Sequence, residues 1–364
     1  MTNDKKDASL TVQKIIREYI KKNKNKSDPD NPKVIEYLEQ IKNSGTSKGG
    51  NIVESSTNLV HEISKITEDV KKVSLLKKII QETKSNPKSQ KIILKQSVEA
   101  LKHLPYKEKE KFINFCVYEQ GTRNLYSEEK HEDSKEQERP LELYENYLNF
   151  KSKNMPSNQK ILLVGGGKSQ IRKALPMHNI TNYDLTPVSH SDKIANTEIE
   201  GNFCKKLDDR VKNNHDQIWS LFSLPMYAES TTQIKGFFNN AVSSLKDGGI
   251  IRIFPIEHYG ESASRNPSYS LITEELIEFE KNSINIMEQN PDLFKVEHYN
   301  EKIDKSMSKK NAKGITITVN DSLKAQEFLQ SSLDKMESEF MENHSRPKKS
   351  KTTNPAEINF VPFK

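Results

Sequence analysis

The stretch ILLVGGGKSQ, residues 161–170, ends an apolar run on three glycines followed by a Lys-Ser pair. Glycine removes the side chain that would keep a ligand away, so Gly165, Gly166 and Gly167 mark a backbone built for close approach. A phosphate loop needs a glycine, four residues, and then Gly-Lys-Ser/Thr. Gly167-Lys168-Ser169 supplies the end, but Leu162 stands where the first glycine belongs. Such a loop is too short to wrap a triphosphate. The acid of DQIWSL, residues 216–221, also lies at the start of its strand, away from the end where it could hold magnesium. The dinucleotide pattern G-x-G-x-x-G fits at Gly165 and Gly167, with Gln170 in the place of the third glycine. Its context supports it: a strand before, a helix after, and Asp184 closing the next strand in NYDLTP. A carboxylate at that position faces the ribose of a bound nucleoside and accepts from its hydroxyls. The alternative for Asp184 is an N-cap ahead of TPVS.

The elements that must position these residues follow from periodicity. Residues 1–140 read as helix after helix. Leu59, Ile63, Ile66, Val70, Val73, Leu76 and Ile80 alternate steps of three and four, an amphipathic stripe that faces a partner helix. That stripe is either one face of an intramolecular bundle or an intermolecular coiled coil. Pro87 and Pro105 punctuate the next two helices. EEKHEDSKEQER, residues 128–139, is a charge run that reads as a linker or a solvated helix. From Leu141 the character changes. After the short amphipathic helix LELYENYLNF, strand-length apolar runs fall at 160–164, 180–184, 197–202, 216–221, 249–254, 294–299 and 313–319. Helical patterns fill the gaps, most clearly at 231–245 and 270–289. This alternation predicts an α/β domain over 141–320 with a mostly parallel sheet covered on both faces. Trp219, on a strand of that kind, is expected to face the core. Residues 321–364 read as one more helix and a tail.

Composition narrows the function classes. The formal charge of +6 is a small difference between 57 basic and 51 acidic residues, which describes a mixed solvated surface. Aromatic residues are sparse among the basic ones, so nucleic acid is disfavoured as a partner. Cys116 and Cys204 are far apart and lack metal spacing; two free thiols in a reducing compartment are expected, and no metal site. The first residues lack the apolar core of a signal peptide, and no run reaches the eighteen or so apolar residues that span a bilayer. The expectation is a soluble, cytoplasmic protein.

Taken together, ILLVGGGKSQI, NYDLTP, EGNFC, DQIWSLFSLPMYAE, LKDGGIIRIFP and the final strand pair resemble the class I (Rossmann-like) S-adenosylmethionine-dependent methyltransferases, in order and in spacing. Leu245-Lys246-Asp247-Gly248-Gly249 looks like the family's Leu-Lys-Pro-Gly-Gly turn, with aspartate at the proline position. The resemblance covers roughly residues 155–320. It implies a seven-stranded Rossmann-like sheet preceded by an all-α region, S-adenosylmethionine as cofactor, and methyl transfer to an acceptor, protein or small molecule being favoured. By the same resemblance Gly165, Gly166 and Gly167 would approach the methionine part of the cofactor. Asp184 would hold the ribose hydroxyls and Leu185 would pack near the adenine. Asn202 would accept from the adenine amino group, or serve as a plain turn residue. Phe203 would cover the adenine or lie in the core, and Ser220 and Phe222 would end the fourth strand beside the cofactor. Tyr227, Glu229 and His258 are the polar candidates for catalysis, with Tyr259 beside them. SLPMY in place of Asn/Asp-Pro-Pro-Tyr disfavours methylation of adenine bases. Two departures stand out: Leu162-Leu163-Val164 carries no acid near the end of the first strand, and Ser169 replaces the loop's third glycine. They leave a second reading open, a degenerate methyltransferase fold that acts as a scaffold and binds partners through its N-terminal helices. A nicotinamide-dependent oxidoreductase is disfavoured by the Gly248-Gly249 turn.

Overall fold

The computed structural model describes residues 69–82, 87–119, 139–166, 171–185, 196–259, 267–302 and 311–346. They form two compact units, one of residues 69–119, 267–271 and 341–346, the other of residues 139–259 and 272–340.

In the first unit, α1 (Asp69–Glu82), α2 (Pro87–Leu101) and α3 (Tyr106–Asn114) run into a π-helical turn at Phe115–Glu119. α2 opens on Pro87 and α3 follows Pro105, because a proline in the first turn forfeits no helical hydrogen bond. Leu76, Ile80, Ile93, Leu94, Leu101 and Phe112 are fully buried. The stripe foreseen along α1 holds at Leu76 and Ile80, but Val70 is 83% exposed. It stands near the start of α1 and points to water. The expected helical run over residues 1–68, with the stripe residues Leu59, Ile63 and Ile66, lies outside the described residues.

The second unit is built on one seven-stranded sheet. Its strands are β1 (Lys160–Val164), β2 (Asn179–Asp184), β3 (Thr197–Glu200), β4 (His215–Leu221), β5 (Leu245–Ile256), β6 (Phe294–Lys302) and β7 (Asn311–Val319). The order is β3-β2-β1-β4-β5-β7-β6. β1 through β5 pair in parallel, and β7 runs antiparallel to both β5 and β6. The helices are α4 (Leu141–Tyr147), the short α5 (Ile171–Ala174), α6 (Thr231–Ser244), α7 (Thr273–Glu288) and α8 (Ser322–Asn343). This is the seven-stranded Rossmann-like sheet that the resemblance implies.

The central strands are buried on both faces, as their unbroken apolar runs require. Ile161 to Val164 of β1 are each 2% exposed or less. Trp219 of β4 lies under Phe150 and Tyr144, with ring centroids at 4.6 and 5.8 Å, and its Nε1 donates to Gln217 Oε1 at 2.8 Å. β5 starts four residues earlier than the sequence suggests. Leu245 already pairs with His215, and the ladder then shifts before Gln217 meets Ile250. Gly248, at φ +71, makes that offset in the left-handed region where a side chain would be strained. Asp247, at the family's proline position, accepts the Ser322 N–H at 2.8 Å and so tethers the start of α8. Asp216 is held at the opposite edge from the glycine loop, accepting from the Lys160 N–H at 2.7 Å and from Lys246 Nζ at 2.8 Å.

Candidate functional site

The five parallel strands end on one edge, at Val164, Asp184, Glu200, Leu221 and Ile256. The chain runs outward from β1 through β2 to β3, then returns to β4 on the other side of β1. The gap beyond the carboxyl ends of β1 and β4 is therefore the switch point, where open α/β sheets bind ligands. Gly165 follows β1 at φ +65, and its N–H donates to the Tyr183 carbonyl at 2.9 Å. A Cβ on Gly165 would fall 2.0 Å from Ser223 Oγ, and one on Gly166 would fall 2.6 Å from Asn182 Oδ1. The Gly166 N–H donates to that Asn182 oxygen at 3.1 Å, and Asn182 Nδ2 donates to Glu198 Oε2 at 2.8 Å. The first two glycines thus sit against protein side chains. Gly167 lies outside the described residues.

Arg139 is the cation at this point. Its Nη1 donates to the carbonyls of Gly165 at 3.2 Å and Leu221 at 2.9 Å, bridging the ends of β1 and β4. One nitrogen serves both carbonyls, which leaves Nε and Nη2 without a protein partner among the described residues. Arg139 is the last residue of the charge run, and only its position before Pro140 and an apolar helix hinted at a fixed place.

Asp184 ends β2 half-buried, and its carbonyl accepts from the Gly201 N–H at 2.9 Å. Leu185 just beyond is 57% exposed. Asn202 Oδ1 accepts from the Cys204 N–H at 2.9 Å, the bond of a turn residue. Phe203 is 2% exposed and packs edge-on against Tyr183 and Phe237. Ser220 is buried and its Oγ donates to the Leu224 carbonyl. Phe222 takes φ +48, and its N–H donates to the Phe254 carbonyl at 2.7 Å; its ring meets the stacked pair of Tyr147 and Phe254 edge-on.

In the loop between β4 and α6, Tyr227 and Glu229 are half-buried. Ser230 caps that helix by accepting from the Gln233 N–H at 3.3 Å, and Gln233 returns an acceptor to the Glu229 N–H at 2.8 Å. Burial, and then the Glu229 charge, pushes the Cys204 thiol up to about 12. His258 is half-buried and Tyr259 fully buried after β5. Behind them Glu280 of α7 is fully buried; burial first, and then the Glu257 charge, raises its carboxyl to about 8. An acid on the buried face of Leu276, Phe279, Ile284 and Met287 was a readable signal for Glu280.

The strand order decides the fold. The sheet has the strand order of the class I methyltransferase fold. No family model matches the sequence, and no curated protein matches it. Solved structures resemble it at low identity. One is a SAM-dependent methyltransferase from Methanosarcina mazei, 11% identical, with 46% of this chain and 96% of that chain covered and a TM-score of 0.35. Another is phosphoethanolamine N-methyltransferase 2 from Haemonchus contortus in complex with S-adenosyl-L-methionine, 14% identical, covering 50% of this chain and 52% of that chain at 0.33. A third, from Rhodobacter sphaeroides, is provisionally named a Zn-dependent alcohol dehydrogenase, 10% identical, covering 48% and 88% at 0.32. Scores this low carry no argument of their own. The topology of this chain carries the assignment, and it places Gly165, Asp184, Asn202, Phe222 and His258 on one edge.

Proposed function

We propose that the chain is an S-adenosylmethionine-dependent methyltransferase (EC 2.1.1.-) acting on a protein or small-molecule acceptor. The observation that carries this reading is the order β3-β2-β1-β4-β5-β7-β6, which ends β2 at Asp184 next to the β1–β4 switch point that Arg139 bridges. The donor set fits the cofactor's two ends. Asp184 supplies the acceptor for the ribose hydroxyls. Arg139 supplies the cation for the carboxylate of the amino-acid end, and Leu185 offers an exposed apolar face to the base. Asn202 is already engaged with the Cys204 N–H, so its part in holding the base is the weaker half of the assignment. When bound, the cofactor supplies a methyl group activated by a sulfonium, so the protein's work is alignment and exclusion of water. Tyr227, Glu229 and His258 take a proton only from an acceptor that arrives protonated. The N-terminal helices are the added element that selects the acceptor, since a fold of this type does not itself set the substrate.

A ligand series tests the two ends separately. S-adenosylhomocysteine carries the carboxylate and methylthioadenosine lacks the amino-acid part. Arg139→Ala is expected to weaken the first about 10- to 100-fold, the weight of a charged hydrogen bond, and to leave the second unchanged. Equal loss on both ligands would mean that Arg139 shapes the loop and does not pair with the ligand. A second reading, a scaffold without catalysis, is favoured by one observation. Ser223 and Asn182 occupy the space beside Gly165 and Gly166, where Leu162-Leu163-Val164 carries no acid. Failure of the wild-type protein to bind either ligand would support it.

A further inference from the structure

The start of the glycine loop is held at three backbone atoms. The Gly165 N–H donates to the Tyr183 carbonyl at 2.9 Å, and the Gly165 carbonyl accepts from Arg139 Nη1 at 3.2 Å. The Gly166 N–H donates to Asn182 Oδ1 at 3.1 Å, the one of the three bonds that runs to a side chain of the sheet. Leu163, Asn182 and Glu198 are register partners across β1, β2 and β3, so their side chains stand in one row on one face. Gly166 folds back over that row. A Cβ on it would lie 3.3 Å from the Leu163 Cβ and 2.6 Å from Asn182 Oδ1. Glu198 ends the row by accepting from Asn182 Nδ2 at 2.8 Å. Asn182 is 0% exposed, so the protein and not water must satisfy its amide. A carboxylate accepts and does not donate, so Glu198 takes the NH2 end and leaves the oxygen to face Gly166. With the amide turned over, its oxygen would meet the Glu198 carboxylate and its NH2 would meet the Gly166 N–H. β1 carries no acid of its own in Leu162-Leu163-Val164; the carboxylate behind the loop comes from two strands away.

We propose that Asn182 is a positioning residue for the ligand edge. Its oxygen preforms the glycine loop through the Gly166 N–H, and Glu198 fixes the direction of its amide. A loop already set when the ligand arrives does not have to be ordered by it, which removes that cost from binding. Both N–H groups face the protein, so Gly165 and Gly166 offer the ligand shape and not donors. That the ligand is S-adenosylmethionine rests on the methyltransferase reading; the relay from Glu198 to Gly166 does not.

Two readouts on the full chain test this. Isotope labelling of glycine alone leaves 13 residues to resolve, and exchange of the Gly166 N–H is read against that of Gly165, whose partner is a backbone carbonyl. Affinity for S-adenosylhomocysteine is measured beside it. Asn182→Ala and Glu198→Leu are each expected to speed Gly166 exchange about tenfold, the weight of one hydrogen bond, and to weaken the ligand by about as much, with Gly165 unchanged. Glu198→Gln still offers Asn182 an acceptor and is expected to match the wild type in both readouts. Unaltered Gly166 exchange in Asn182→Ala would overturn the relay, and so would Glu198→Gln behaving like Glu198→Leu. Fast Gly166 exchange with wild-type affinity would overturn the positioning role. Should Asn182→Ala not fold, the two variants at the half-buried Glu198 still decide. A wild-type protein that does not bind the ligand would refute the cofactor reading, and the exchange outcomes, which need no ligand, would still judge the relay.

Discussion

At the scale of single residues, the glycine loop and Glu280 answer to opposite constraints. Gly165 combines a left-handed φ with a side chain packed on its α carbon. Gly165→Ala is expected to destabilise the protein by about 2 kcal/mol or more, from backbone strain and overlap together. Pairing it with Ser223→Ala removes the closer overlap, with Oγ, and leaves the Ser223 Cβ at 2.9 Å and the backbone strain, so a urea-denaturation double-mutant cycle should show partial recovery and a non-zero coupling. Full additivity would mean that the loop shifts freely away from Ser223. Glu280 makes a statement about pH. Its folded-state value of about 8 lies above the ordinary 4.5, so the folded state holds a proton that the unfolded state has released. Its contribution is complete below about pH 4.5 and is lost as pH rises toward 8. The limiting slope is about 1.4 kcal/mol per pH unit for one proton. Unfolding midpoints taken across that window should fall less steeply in Glu280→Gln than in the wild type. Parallel curves would show that Glu280 is ionised in the fold.

Elements were more legible than contacts. The central strands were readable because parallel strands buried on both faces must be apolar, and that pattern survives in the KILLV of Lys160–Val164. The start of β5 was misplaced because KDGG looks like a free turn, whereas Leu245 pairs across to His215 and Asp247 ties down α8. Arg139 was hidden for a different reason: a charge run says nothing about which of its members finds a carbonyl. The place of Asp184 could be read from its strand end. The neighbours of the loop, Ser223 beside Gly165 from 58 positions on and Asn182 of β2 beside Gly166, are long-range and leave no local pattern. Asp247→Ala is expected to lower stability by about 1 kcal/mol through the freed start of α8, measured as a shift of the urea midpoint. An unchanged midpoint would mean that water serves the Ser322 N–H equally well.

For the whole molecule, the proposed ligand edge lies on the sheet unit, and sequence reasoning assigns the acceptor or partner surface to the helical unit. No helix among the described residues is long and apolar enough to cross a membrane. Both cysteines are free thiols, Cys116 buried and Cys204 with its thiol pushed up to about 12. The native protein is therefore expected to react slowly with a thiol reagent at pH 8, and the denatured chain to titrate both groups at once. Fast native labelling at Cys204 would contradict the burial around it. The central claim is that the switch point between β1 and β4 binds S-adenosylmethionine through Asp184. Calorimetric titration of the purified chain with S-adenosylhomocysteine, with Asp184→Ala alongside, tests it most directly. The account predicts micromolar binding, about −8 kcal/mol, that the variant loses. Folded wild-type protein that releases no binding heat and leaves its unfolding midpoint unmoved at millimolar ligand would contradict it.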